Sequence, residues 1–126
     1  MSKKILIIDD EKVIRELLFV NLQQTGYEVS LASNGEEALD LVRWKFFDII
    51  MLDLVMPKMY GLEFIKELKD IRYTIDNKKP AVILMTAFSA NELVEEAKTL
   101  GAVTCIYKPF DVKEVLNTIN NVIQCN

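Results

Sequence analysis

Apolar residues fall into two kinds of run. Segments 4–9, 47–53, 81–86 and 102–107 are short, almost continuously apolar and rich in Ile, Val, Leu or Met. That pattern predicts strands covered on both faces, and so a parallel sheet. Segment 27–32 alternates, with Tyr27, Val29 and Leu31 set against Glu28 and Ser30, which suits an edge strand. The stretches between carry helical stripes: Val13, Ile14, Leu17, Leu18 and Leu22, then Ala38, Leu41 and Val42, then Leu62, Ile65 and Leu68. Two more follow, Leu93, Val94, Ala97 and Leu100, and finally Val112, Val115, Leu116, Ile119, Val122 and Ile123. The pairs Asn34 with Glu37, Ser89 with Glu92 and Asp111 with Glu114 have the three-residue spacing of helix caps, and Gly26 is placed to stop the first helix.

The order is strand then helix, five times over. Short connections and right-handed crossovers make such a chain an α/β doubly wound fold. The expectation is a five-stranded parallel sheet in the order 2-1-3-4-5, layered between helices as in flavodoxin-like proteins. One longer connection, 71–80, carries Asn77, Lys78, Lys79 and Pro80 and is expected to be a surface loop. At 126 residues the chain has the length of one domain. Residues 1–126 are expected to form that domain, with no output domain attached.

Composition narrows the chemistry. There is no histidine, which removes His-based triads, His general bases and His metal ligands together. Cys105 and Cys125 lack any disulfide or zinc spacing. A net charge of −4 without basic blocks argues against direct nucleic-acid binding. The apolar run at the N-terminus is too short for a signal peptide, and no segment reaches the length of a membrane span. A cytoplasmic protein without membrane insertion is expected.

What ends each apolar run is informative. The first ends in Asp9 and Asp10, the third in Asp53, the fourth in Thr86, and the fifth in Lys108 followed by Pro109. In open parallel sheets the ligand site lies beyond the carboxyl ends of the strands, at a switch in strand order. Three carboxylates, a hydroxyl and an ammonium are thus expected in one patch. Two carboxylates about 5 Å apart repel by roughly 3 kcal/mol at an effective dielectric near 20, so the patch calls for a cation. All-oxygen ligands suit a hard ion, and Mg²⁺ fits best. Mg²⁺, Lys and Thr together make a phosphoryl site, and a carboxylate is the nucleophile on offer. Asp53, alone at the tip of the central strand, is the natural acceptor, with Asp9 and Asp10 at the metal.

Ile-Leu-Ile-Ile-Asp-Asp at 5–10, Met-Leu-Asp-Leu-Val-Met-Pro at 51–57, Met-Thr-Ala at 85–87 and Lys-Pro-Phe at 108–110 together resemble the receiver domain of two-component response regulators. The match runs the length of the chain, and the four motifs at strand ends are specific jointly where each alone is weak. The resemblance implies a stand-alone receiver, a phosphoprotein switch rather than an enzyme. In it Asp53 is the phosphoacceptor, and Asp10 and Asp53 are side-chain Mg²⁺ ligands. Asp9 contacts the ion less directly, and the Val55 backbone carbonyl is a further ligand. Thr86 and Lys108 contact the phosphoryl group, and the Lys108–Pro109 bond is cis. The implied partners are a sensor histidine kinase or histidine phosphotransfer protein, docking near Ile14, Leu17 and Phe110, and a downstream protein target. A monomer or a weak phosphorylation-dependent dimer is implied as well.

The chain departs from that family in places. Cys105 stands where most members carry an aromatic switch residue, while Tyr107 lies on the same strand face. Pro57-Lys58-Met59-Tyr60-Gly61 replaces the more usual Pro-Gly-Met-Asp-Gly. Val55 and Phe88 replace polar residues that tune hydrolysis, so a long-lived phosphoryl group is expected. Three rivals are weighed against this reading. An Asp-nucleophile phosphatase needs an acid at position 55, where Val55 stands. An FMN protein needs a Ser/Thr/Gly-rich phosphate loop, where Asp10-Glu11-Lys12 would repel phosphate. A non-phosphorylated interaction module has no use for the intact set of strand-end residues.

Overall fold

The continuous apolar runs become strands and the periodic ones helices. The computed structural model describes residues 2–71 and 79–125. The strands are β1 (Lys4–Ile8), β2 (Glu28–Ala32), β3 (Ile49–Asp53), β4 (Ala81–Ala87) and β5 (Thr104–Lys108). The helices are α1 (Lys12–Gln24), α2 (Gly35–Trp44), α3 (Gly61–Lys69), α4 (Asn91–Thr99) and α5 (Val112–Cys125). All pairings are parallel, in the expected order β2-β1-β3-β4-β5. Most of the expected 71–80 loop falls on 72–78, outside the described residues.

Alternation along the strands divides the core in two. Ile5, Ile7, Ile49, Met51, Ile83, Met85 and Ile106 pack with Leu18, Leu22, Val115 and Ile119 on the α1/α5 side. Leu6, Ile8, Ile50, Leu52, Val82 and Leu84 pack with Ala38, Val42, Phe64, Ile65, Val94 and Ala97 on the α2–α4 side. Fully burying such a side chain contributes about 1.5–3 kcal/mol, so the central strands anchor everything at their ends.

Helix boundaries follow local chemistry. Asn34 Oδ1 accepts the Glu37 N–H at 2.9 Å and Asp111 Oδ1 accepts the Glu114 N–H at 2.8 Å, as the cap spacings predict. Gly26 ends α1 with φ of 103°, a left-handed conformation that glycine adopts without penalty. Ser89 does not cap α4: residues Phe88–Ala90 form a 3-10 turn, and α4 starts at Asn91 without a side-chain cap. Two burial expectations also change. Val13 and Leu17 are exposed, because α1 turns only the Leu18 and Leu22 stripe fully inward. In β5 only Ile106 is buried, because the last strand is the second edge of the sheet. Among the described residues no helix is long and apolar enough to cross a membrane.

Candidate functional site at the carboxyl edge of the sheet

Strand alternation decides which polar groups meet. Asp9 continues the Ile5, Ile7 series, Asp53 the Ile49, Met51 series, and Lys108 follows Ile106 by two. All three therefore leave the sheet on the α1/α5 side. Asp9 and Asp53 are buried while Asp10, one residue on, is exposed. Carboxylate oxygens of Asp9, Asp10 and Asp53 come within 4.8 Å of one another. Lys108 Nζ lies 2.8 Å from Asp9 Oδ2, 3.0 Å from Asp53 Oδ2 and 3.0 Å from Glu11 Oε1.

Short loop contacts hold this geometry. Asp9 Oδ1 accepts the Glu11 N–H at 2.9 Å, and Asp53 Oδ1 accepts the Val55 N–H at 3.1 Å. Each carboxylate thus braces the turn that follows its own strand. Gly61 lets α3 close onto the Asp53 loop. A Cβ there would stand 2.7 Å from Leu54 Cα, and its N–H bonds the Leu54 carbonyl at 3.0 Å. Lys58 has φ of 73°, the left-handed region. Tyr60 precedes α3 without a side-chain cap.

The electrostatics are those of a site short of positive charge. Burial pushes the Asp9 carboxyl above its ordinary value, and the Asp53 charge adds to this against the lowering by Lys108 and the Glu11 N–H. Burial alone would lower Lys108, but its contacts with Asp9 and Asp53 outweigh that and raise it. Asp9 Oδ2 is buried, and its approach to Lys108 is an ion pair rather than an aligned hydrogen bond. A lone pair is left unclaimed beside two further carboxylates. Three hard oxygen donors with such a deficit fit a small divalent cation.

The remaining expected residues take definite places. Thr86 is buried at the end of β4, one residue beyond Met85, the register partner of Asp53. The Lys108–Pro109 bond is cis. Val55 and Phe88 are exposed, at 52% and 69%. Ile14 and Phe110 are half-buried against the α1/α5 core, whereas Leu17 faces outward. Cys105 and Tyr107 both lean to the α2–α4 side. The Tyr107 hydroxyl is 2.9 Å from Asn91 Oδ1, and its ring lies 5.2 Å from that of Phe88. Glu11 and Arg15 are contributors that sequence reading missed. Arg15 donates to the Asp9 carbonyl at 2.7 Å. The available signal was position: Glu11 directly follows the paired aspartates and Arg15 lies one helical turn on.

Comparison with known proteins agrees with this geometry. Residues 5–120 match the model of the response regulator receiver domain. The chain is 38% identical over 123 residues to sporulation initiation phosphotransferase F of Bacillus subtilis, covering 98% of this chain and 95% of that one. It is 35% identical to the alkaline phosphatase synthesis transcriptional regulatory protein PhoP of the same organism, of which it spans 50%. Among solved structures, the chemotaxis response regulator CheY4 of Vibrio cholerae superposes with a TM-score of 0.85 at 34% identity, over 97% of this chain and 99% of that one. The response regulator TrrA of Thermotoga maritima, in complex with Mg²⁺ and BeF, gives 0.78 at 34% identity, over 95% and 98%. With 116 consecutive residues matched and the strand-end chemistry in place, this chain belongs to the response regulator receiver domain family of two-component signalling.

Proposed function

We propose that this protein is a phosphoryl-accepting switch whose acceptor is Asp53, loaded by a histidine kinase or a histidine phosphotransfer protein. The observation that carries this reading is the meeting of Lys108 with Asp9 and Asp53 at the end of the central strand. A carboxylate beside a fixed ammonium can attack phosphorus while the ammonium offsets charge on the transferring oxygens. An Asp53 oxygen forms a bond to phosphorus as the donor's P–N bond breaks, and the imidazole leaves with that electron pair and takes up a proton.

Asp9, Asp10 and Asp53, with the backbone carbonyl of Val55, would hold Mg²⁺. The bound ion would neutralise charge on the phosphoryl oxygens. Lys108 orients one face of the phosphoryl group, and the Thr86 hydroxyl donates a hydrogen bond to an oxygen on the other. Phosphorylation adds about 1.5–2 negative charges and three acceptor oxygens. Each charge-assisted bond to them contributes about 1.5–3 kcal/mol, against about 5.5 kcal/mol for a complete inversion of a two-state surface.

The exposed α1 stripe Val13, Leu17 and Val20, beside half-buried Ile14 and Phe110, supports docking of the donor there. In this reading residues 1–126 act as one domain, in the cytoplasm, and pass the signal to another protein rather than to DNA. Val55 and Phe88, two residues beyond Asp53 and Thr86, are apolar and offer no group to activate a water, which supports a long-lived phosphoryl group. The test is intact mass after acetyl phosphate treatment, with and without Mg²⁺. The wild type gains one phosphoryl group only with Mg²⁺, and Asp53→Asn gains none. An unmodified wild type, or a labelled Asp53→Asn, overturns the proposal.

A further inference from the structure

We infer that Glu11 is a positioning residue that occupies, on Lys108, the place the phosphoryl oxygen takes when Asp53 is modified. The inference deepens the reading of Asp53 as acceptor and rests on it. A lysine ammonium has three protons and no acceptor capacity. Here Nζ donates to Glu11 and Asp53 at 3.0 Å each and forms an ion pair with Asp9 at 2.8 Å, so carboxylates crowd it on three sides. An incoming phosphoryl oxygen therefore competes with them for the ammonium.

The three partners differ in what displacement costs. Asp9 is wholly buried and does not regain full hydration on losing the ammonium, while Asp53, nearly buried, gives up its charge on modification but keeps its place beneath the phosphoryl group. The Glu11 side chain is 57% exposed and is rehydrated as soon as it lets go. Among the described residues the Glu11 carboxylate has no partner besides Lys108. Glu11 precedes α1 without capping it, and its backbone N–H is what braces Asp9. It is therefore the partner that yields. Its contact keeps Lys108 pointed at the mouth before loading, and its release frees one N–H for the phosphoryl group.

The competition has a size. An exposed ion pair contributes about 0.2–1 kcal/mol, so removing the competitor should tighten binding of a phosphoryl mimic by about 1.5- to 5-fold. Two variants separate contact from charge. Glu11→Gln removes the charge, whereas Glu11→Asp keeps it but draws the carboxylate back by one methylene, out of reach of Nζ. The first measurement is beryllofluoride affinity with Mg²⁺ by titration, together with acetyl phosphate labelling rates. Both variants should bind more tightly and label faster than wild type. The second measurement needs no metal: the exchange rate of the Lys108 ammonium protons by ¹H–¹⁵N NMR, the signal being assigned by its loss in Lys108→Met. Exchange should be faster in both variants.

An unchanged or weaker affinity in Glu11→Gln overturns the inference. So does tightening in Glu11→Gln with Glu11→Asp unchanged, since that is a field effect and not a displaced contact. Unaltered ammonium exchange in both variants also overturns it. If wild type neither binds beryllofluoride nor is labelled, the acceptor role of Asp53 fails. The ammonium exchange then still reports whether Glu11 holds Lys108, so the two failures are told apart.

Discussion

Lys108 and Tyr107 are neighbours on β5, yet they belong to different physical worlds. Lys108 turns to the α1/α5 side, into a ring of three carboxylates of which two are buried. Tyr107 turns to the α2–α4 side, where one hydrogen bond reaches exposed Asn91 and its ring leans on exposed Phe88. The first contact is electrostatic, desolvated and costly to break. The second is neutral, open to water and cheap to break. A single strand thus delivers a fixed charge to the pocket and a loose aromatic tie to the start of α4. The difference arises only from the two-residue alternation of strand side chains.

The comparison breaks most visibly at Lys108. Lys108→Met leaves Asp9 and Asp53 as buried charges without a partner, a change that costs about 3 kcal/mol when one side of a buried pair is removed. The expected outcome is a large drop in urea midpoint in metal-free buffer at neutral pH, with part of it recovered on adding a divalent cation. A midpoint within the error of wild type would mean that the three contacts at the ammonium carry no net stability.

Tyr107→Phe should do far less. It removes one exposed neutral hydrogen bond, worth about 0.5 kcal/mol, and keeps the ring pair with Phe88. Tyr107→Ala adds the loss of that pair, about 0.5–1.5 kcal/mol more. The sharper form is the double variant Lys108→Met with Tyr107→Phe. Although adjacent in sequence, the two side chains share no partner among the described residues, so their costs should add to within about 0.5 kcal/mol. A larger coupling energy in that cycle would show that the two faces of β5 communicate already in the unmodified protein.

The same alternation explains what the sequence makes legible. Continuous apolar runs reveal the strands, and the polar residue that ends each run reveals the pocket, because both depend on local pattern and on where a parallel sheet binds ligands. Asp9, Asp53 and Lys108 are legible as members of one patch. Glu11 is not, because its role comes from a contact with a residue 97 positions away, and an acid at a helix start reads equally well as a solvated first-turn charge. Val13 and Leu17 mislead for the opposite reason. Periodicity shows that a helix has an apolar stripe but not how far that stripe wraps beyond the buried line of Leu18 and Leu22. Ser89 has the spacing of a cap, yet the chain leaves β4 through a 3-10 turn, and no local rule distinguishes the two. The half-buried state of β5 follows from strand order, which a single strand's composition does not encode.

Cys105 supplies the mildest test, and it concerns the Tyr107 side alone. Burial pushes its thiol up to about 11 from an ordinary 9.0, with Lys98, Tyr107 and the Thr86 backbone opposing. The raised value means that the stability gained from a neutral thiol is present below pH 9 and is lost as the pH rises through about 11. At any pH well below 9, a thiol raised from 9.0 to about 11 carries about a hundredfold less thiolate than an ordinary one, and thiolate is the reactive form. Iodoacetamide at pH 8 should therefore modify exposed Cys125 first and Cys105 slowly. The Cys105 rate should rise about tenfold per pH unit until it levels near pH 11. Tyr107→Ala uncovers the thiol and should raise its rate at pH 8, whereas Lys108→Met, acting across the sheet, should leave it unchanged. If Lys108→Met accelerates Cys105 as much as Tyr107→Ala does, the division of β5 into a charged face and an aromatic face does not hold in solution.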